Sequence, residues 1–264
     1  MARTVLGIIG RDGALAQYLT LPAENLHAVP EALSDVEAAF AEPLAAACRI
    51  TEQGLPRQPA TDRVAVIGDG KLGLLVGQVL AGHVAAAGGP AVTLIGRHAE
   101  KMALVRGPVD RVVSEGDGAA VRERLAGQFD MVVEASGSGA GIRTALALCR
   151  PLGTILLKST VSTVQPHAEA GVEAGPARHH ACDGAVHWAE VANDIVVNEK
   201  VLVGSRCGPF DAALALMASD GGVRALMRAM VSAELPLERA EEALARARTK
   251  GVLKVQVLMP ADAP

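Results

Sequence analysis

Two stretches of this 264-residue chain carry residue types that could do chemistry. The first is VAVIGDGKLGLL, Val64 to Leu75, where apolar residues break into Gly68-Asp69-Gly70-Lys71-Leu72-Gly73 and resume at helical spacing. Such a turn suits a phosphate-bearing ligand. Gly68 permits the tight turn, Gly70 lets the backbone approach a pyrophosphate, and Gly73 lets helix and strand pack closely. The helix that follows presents free N–H groups and positive potential. The second stretch runs from Gln165 to about Asn198. It is polar and Gly/Ala-rich, and it holds four of the seven histidines and the only tryptophan.

The glycine pattern has weight only if a strand precedes it and a helix follows, and the surrounding sequence supplies both. RVAVIG is a buried-strand candidate and Lys71 to about Ala87 reads as a helix. Further strands are expected at 91–96, 111–115, 129–137, 153–160 and 199–206. Helices are expected at 99–107, 117–126 and 141–151. Continuous Val/Ile/Leu strands alternating with amphipathic helices imply a parallel sheet covered on both faces, the doubly wound (Rossmann) α/β fold. Residues 13–30 read as strand-like. Residues 34–50 read as a helix opened by a capping box, Ser34 with Glu37. A charged helix over 236–251 precedes an alternating closing strand over 252–259. The stretch 165–198 reads as one long loop, well beyond the 2–6 residues usual in such sheets.

Composition narrows the function classes. Net charge is −4 and aromatics are 2% of residues, so neither a nucleic acid nor an anionic membrane is the expected partner. No run of about 18 apolar residues exists, and the first residues do not read as a signal peptide. Cys48, Cys149, Cys182 and Cys207 are scattered without a CxxC, which reads as reduced thiols and a cytoplasmic setting.

A dinucleotide would place its adenosine ribose at the end of the second strand, where an acid binds the 2′-hydroxyl of NAD. This chain has Gly96-Arg97-His98 there, with Lys101 one turn later. Loss of the carboxylate and gain of cations favours NADP, with NAD the alternative.

These stretches together resemble the medium-chain dehydrogenase/reductase family, the zinc-type alcohol, polyol and threonine dehydrogenases. The resemblance runs through GALAQYLTLPAENLHAVP, EPLAAACRI, VAVIGDGKLG, VVEASGS, RPLGTILLKST, VLVGSRCGPF and GVLKVQVL. It implies a nucleotide-binding domain over 49–225, with a remnant of a catalytic domain formed by both termini. Residues 1–48 and 226–264 make up that remnant. The Cys and His-Glu pair that hold catalytic zinc in the family are missing, as is its structural cysteine cluster. Glu42 matches a position that approaches the zinc, and one carboxylate cannot make a site that takes three protein ligands. No zinc is therefore expected.

The resemblance further implies that Ala135, Ser136 and Gly137 line the adenosine side. Leu157, Lys158 and Ser159 lie beside the nicotinamide, and Lys254 reaches the pyrophosphate, unless it is simply a surface charge. Lys158, Ser159 and His187 are the candidates for catalysis. His179, Cys182 and His187 have spacings that zinc sites use, although a solvated loop bearing these residues and His167 and His180 is the plainer reading. The expected activity is an NADP-dependent, zinc-independent oxidoreductase acting on a small carbonyl, alcohol or imine. A non-redox enzyme on the same scaffold, a cofactor-binding partner subunit and a non-functional remnant remain open. The resemblance also implies a homodimer formed through the sixth strand.

Overall fold

A computed structural model describes residues 4–161 and 186–259. In chain order the elements are α1 (Asp35–Ala38), α2 (Ala41–Glu52), β1 (Val64–Ile67), α3 (Lys71–Ala86), β2 (Val92–Gly96) and α4 (Ala99–Met102). Then come β3 (Val109–Val113), α5 (Ala119–Leu125), β4 (Phe129–Glu134), α6 (Gly139–Leu148), β5 (Cys149–Leu157) and α7 (Trp188–Val197). The chain continues through β6 (Val201–Gly204), α8 (Phe210–Ser219), α9 (Gly221–Met230), β7 (Val231–Pro236), α10 (Ala240–Ala247) and β8 (Lys254–Leu258). These elements fall into two compact units, Glu42–Ala213 and the remainder at both termini, where the family resemblance implied boundaries at 48 and 225.

The larger unit is the doubly wound fold. Its sheet runs β3-β2-β1-β4-β5-β6 with every pairing parallel. The sequence dictates this: VAVI of β1 is buried at all four positions, as a strand covered on both faces requires. Ala65, Ile67, Val132, Ile155 and Ile95 form a core with Phe129, Val121 and Leu148. The chain crosses from β3 back to β4, beside β1, so the strand order reverses between β1 and β4. In such sheets the ligand crevice opens there, at the carboxyl ends of the strands.

The smaller unit contains β7 paired parallel with β8, with α10 between them in sequence. The capping box is present: Ser34 N donates to Glu37 Oε2 at 2.9 Å, and Glu37 N donates to Ser34 Oγ at 3.4 Å. Glu37 is nonetheless buried, and Arg228 Nη2 stands 2.9 Å from its other oxygen.

Several element boundaries differ from the sequence reading. The helix expected over 34–50 is two helices, because Pro43 has no N–H for the Ala39 carbonyl. The helix expected over 99–107 stops at Met102, where Arg111 donates to the carbonyls of Met102, Val105 and Val109 and so satisfies the helix end. The helix expected to reach residue 151 stops at Leu148: Pro151 biases Arg150 to extended backbone, and Cys149 pairs with Phe129. Residues 13–30 form no strand, only a single 3-10 turn at Ala23–Asn25, with Leu15, Tyr18 and Leu26 exposed. The end of the expected long loop is helical as α7, whose polar and apolar residues have helical spacing. No helix among the described residues is long and apolar enough to cross a membrane.

Candidate functional site

The glycine turn sits between β1 and α3, with Gly70 as the N-cap residue of a 16-residue helix. Each glycine has a distinct steric reason. Gly68 has φ +121°, and a Cβ there would lie 2.9 Å from the Ala135 carbonyl carbon and the Ser136 nitrogen. A Cβ on Gly73 would strike the Gly68 carbonyl oxygen. A Cβ on Gly70 would meet nothing within 4 Å, so the backbone there is open to an incoming ligand. Lys71 is exposed and Leu72 half-buried. A turn held by two glycines and left bare at the third fits a pyrophosphate.

The turn after β4 presses against Gly68 and is organised by Glu134. This carboxylate is fully buried, and it accepts from Ser136 N at 2.7 Å, Gly137 N at 3.1 Å and Ser136 Oγ. Burial pushes its pKa above the ordinary value, against the opposing effect of those hydrogen bonds. Ala135 is buried and Ser136 exposed. Gly137, at φ +67°, abuts the end of β5: a Cβ there would lie 3.4 Å from Ser159 Cβ. The glycine turn, the β4 turn and the β5 end thus form one continuous rim.

At the end of β5, Leu157 and Ser159 are half-buried and Lys158 is 7% exposed. Lys158 Nζ donates to Ser205 Oγ at 2.8 Å and to the Arg206 carbonyl at 2.7 Å. Burial lowers its pKa from 10.5 to about 8; Cys207, Cys48 and Glu42 oppose the shift and Arg49 adds to it. Burial also pushes the Cys48 thiol up to about 11, so at neutral pH it is a thiol rather than a thiolate. A lysine poised near neutrality at the carboxyl end of a strand can give or take a proton.

At the end of β2, Arg97 is exposed, while His98 and Lys101 are half-buried. The side chain of Asp69 reaches across from the glycine turn. Its Oδ2 accepts from Arg97 N at 2.7 Å and His98 N at 2.6 Å, with His98 Nδ1 at 2.9 Å. Burial disfavours the charged form of Asp69, but these bonds outweigh it and hold the carboxyl below its usual pKa.

The remaining candidates belong to other parts of the chain. Lys254 is in the other unit, with its ammonium 5.4 Å from the Phe40 ring centre. His187 is exposed as the N-cap residue of α7 and makes no capping bond. His167, His179, His180 and Cys182 lie outside the described residues. Among the described residues no three His, Cys, Asp or Glu side chains converge. That donor set does not fit a catalytic zinc, which takes three protein ligands.

Sequence reasoning missed Glu134, the reach of Asp69 and the partners of Lys158. Glu134 had a signal, a carboxylate closing the apolar run Met131-Val132-Val133. Ser205 and the Arg206 carbonyl had none, because 47 residues separate Lys158 from Ser205.

Comparison with known proteins bears on the fold and on sequence similarity. No family model matches the chain. It is 38% identical over 81 residues to the starvation-sensing protein RspB of Escherichia coli K12, a match covering 30% of this chain and 23% of RspB. It is 32% identical over 159 residues to D-xylulose reductase A of Aspergillus oryzae, covering 54% and 41%. The chain thus spans less than half the length of these curated relatives.

Among solved structures, a protein described as a zinc-binding dehydrogenase from Sinorhizobium meliloti 1021, bound to NADP, aligns with TM-score 0.70 and 26% identity. That alignment covers 95% of this chain and 67% of the other. An RspB from Escherichia coli CFT073, complexed with NADH, shares the fold at TM-score 0.72 and 20% identity, covering 97% and 68%. By sequence and by fold, the chain is a relative of the zinc-type medium-chain dehydrogenases.

Proposed function

We propose that this chain is an NAD(P)(H)-dependent oxidoreductase that acts on a small carbonyl, alcohol or imine without zinc. The observation that carries the reading is the buried Lys158 ammonium at the rim that begins with the open Gly70 turn. Gly70 and the first turn of α3 would hold the pyrophosphate. Ala135 to Gly137, kept in place by Glu134, would flank the adenosine side, and Leu157 to Ser159 the nicotinamide. A bound nicotinamide would supply the hydride in reduction and take it up in oxidation. In reduction, Lys158 Nζ donates a proton to the substrate oxygen or nitrogen; in oxidation, its neutral amine takes that proton back. Ser205 Oγ and the Arg206 carbonyl hold Nζ in position, and neither can supply a negative charge that would lock it as an ammonium.

Arg97, His98 and Lys101 taken alone favour NADP. Asp69 stands among them and changes the choice of dinucleotide. A small-molecule partner follows from this reading; the family resemblance further implies a second copy of the chain across the edge of β6, which among the described residues pairs only with β5.

Calorimetric titration with NADH and NADPH tests the cofactor. An aldehyde, ketone and imine panel, followed by nicotinamide absorbance with and without EDTA, tests the reaction. Turnover insensitive to EDTA is expected. A chain that binds neither dinucleotide overturns the reading and favours a partner subunit.

A further inference from the structure

We infer that Asp69 takes the role of the acid missing from the end of β2 and makes the site select NAD(H) over NADP(H). This rests on the dinucleotide reading of the glycine turn and specifies the ligand of that same site.

In sheets of this kind, the residue closing β2 decides between a ribose 2′-hydroxyl and a 2′-phosphate. Here that residue is Gly96, which offers no side chain. The space is not vacant: a Cβ on Gly96 would lie 2.5 Å from Asp69 Cβ and 2.8 Å from Asp69 Oδ2. Gly96 is small because the Asp69 carboxyl occupies the place its own side chain would take. The acid therefore arrives at the end of β2 from the second position of the glycine turn, rather than from the strand itself.

The hydrogen bonds fix its orientation. All three donors, Arg97 N, His98 N and His98 Nδ1, go to Oδ2, leaving Oδ1 outside that set. A ribose hydroxyl can donate to such an oxygen, whereas a phosphate has only acceptors to offer it. The two backbone N–H groups that would otherwise receive a 2′-phosphate are already committed to the carboxylate. The Asp69 side chain is 14% exposed, so its charge acts through a poorly solvated environment. Arg97 is exposed, and a counter-charge in water is screened. Like-charge repulsion between Asp69 and a 2′-phosphate thus works against the attraction of Arg97 and Lys101 and, with both N–H groups committed, favours the ribose hydroxyl.

The test is titration of NADH and NADPH into the full chain and into its Asp69→Asn and Asp69→Ser variants. The unaltered chain is expected to bind NADH at least about tenfold more tightly than NADPH. Asp69→Asn is expected to erase that ratio or invert it, by strengthening NADPH binding and weakening NADH binding. An unaltered chain that prefers NADPH overturns the inference, as do variants that weaken both cofactors equally, and in either case the dinucleotide reading stands. Failure of the unaltered chain to bind either cofactor removes the dinucleotide reading and the inference with it. The ratio in the unaltered chain decides the matter even if both variants fold poorly.

Discussion

Lys158, just past β5, donates through Nζ to Oγ of Ser205, just past β6, at 2.8 Å. The contact ties two neighbouring strand ends together and holds a buried cation whose pKa falls to about 8. As a proton donor, Lys158 is active as the ammonium, so carbonyl reduction should decline as pH rises through about 8 and alcohol oxidation should gain over the same range. Lys158→Met should lower kcat by about 10² to 10⁴ and flatten that pH profile. A profile unchanged in Lys158→Met would remove the lysine from the proton transfer.

The same group makes a stability prediction. Its folded pKa lies below 10.5, so below about pH 8 the folded chain bears the cost of a buried ammonium. That cost is relieved as pH rises from about 8 towards 10.5, because the unfolded chain binds the proton more tightly there. Denaturant midpoints across this window should rise less steeply in Lys158→Met than in the unaltered chain.

Gly70 and Gly68 should respond oppositely to added side chains. A Cβ on Gly70 meets no protein atom within 4 Å and φ there is −79°, so in Gly70→Val the fold should survive while dinucleotide binding is lost. Gly68→Ala forces a side chain into a positive-φ position and against the Ala135 backbone, at a cost of about 1–3 kcal/mol or more. Thermal melting combined with calorimetry separates the two. Normal NADH binding by a folded Gly70→Val protein would contradict the placement of the pyrophosphate.

Glu134 is expected to matter through its acceptors. Glu134→Gln keeps an oxygen for Ser136 N and Gly137 N and removes a buried charge, whereas Glu134→Ala leaves both N–H groups unpaired. The alanine variant should be less stable than the glutamine variant by about 1–3 kcal/mol. The raised pKa means that the folded state holds this proton more firmly than the unfolded state. Glu134's contribution is therefore complete below pH 4.5 and fades as pH rises through the folded value, a slope that Glu134→Gln should lack.

Zinc content is a direct check on the donor set. The purified chain should hold far less than one zinc per chain, and EDTA should leave activity unchanged. Elemental analysis giving close to one zinc per chain, lost in His187→Ala or Cys182→Ser, would make the histidine-rich segment a metal site.

The sequence by itself determined the sheet and its ligand crevice. A strand such as VAVI is apolar throughout, a pattern that burial on both faces explains, and the glycine spacing marks where the first helix must start. These are local rules, with each residue's role set by neighbours a few positions away. Tertiary structure decided what distant residues do to one another. From β2 alone, Gly96 reads as an acid lost, and only the fold shows Asp69 filling its place from 27 positions earlier in the chain. Lys158 reads as one more charge after a strand until β6 brings Ser205 and the Arg206 carbonyl to it and burial lowers its pKa. Burial and long-range hydrogen bonding depend on which strands become neighbours, and the order β1-β4-β5-β6 settles that.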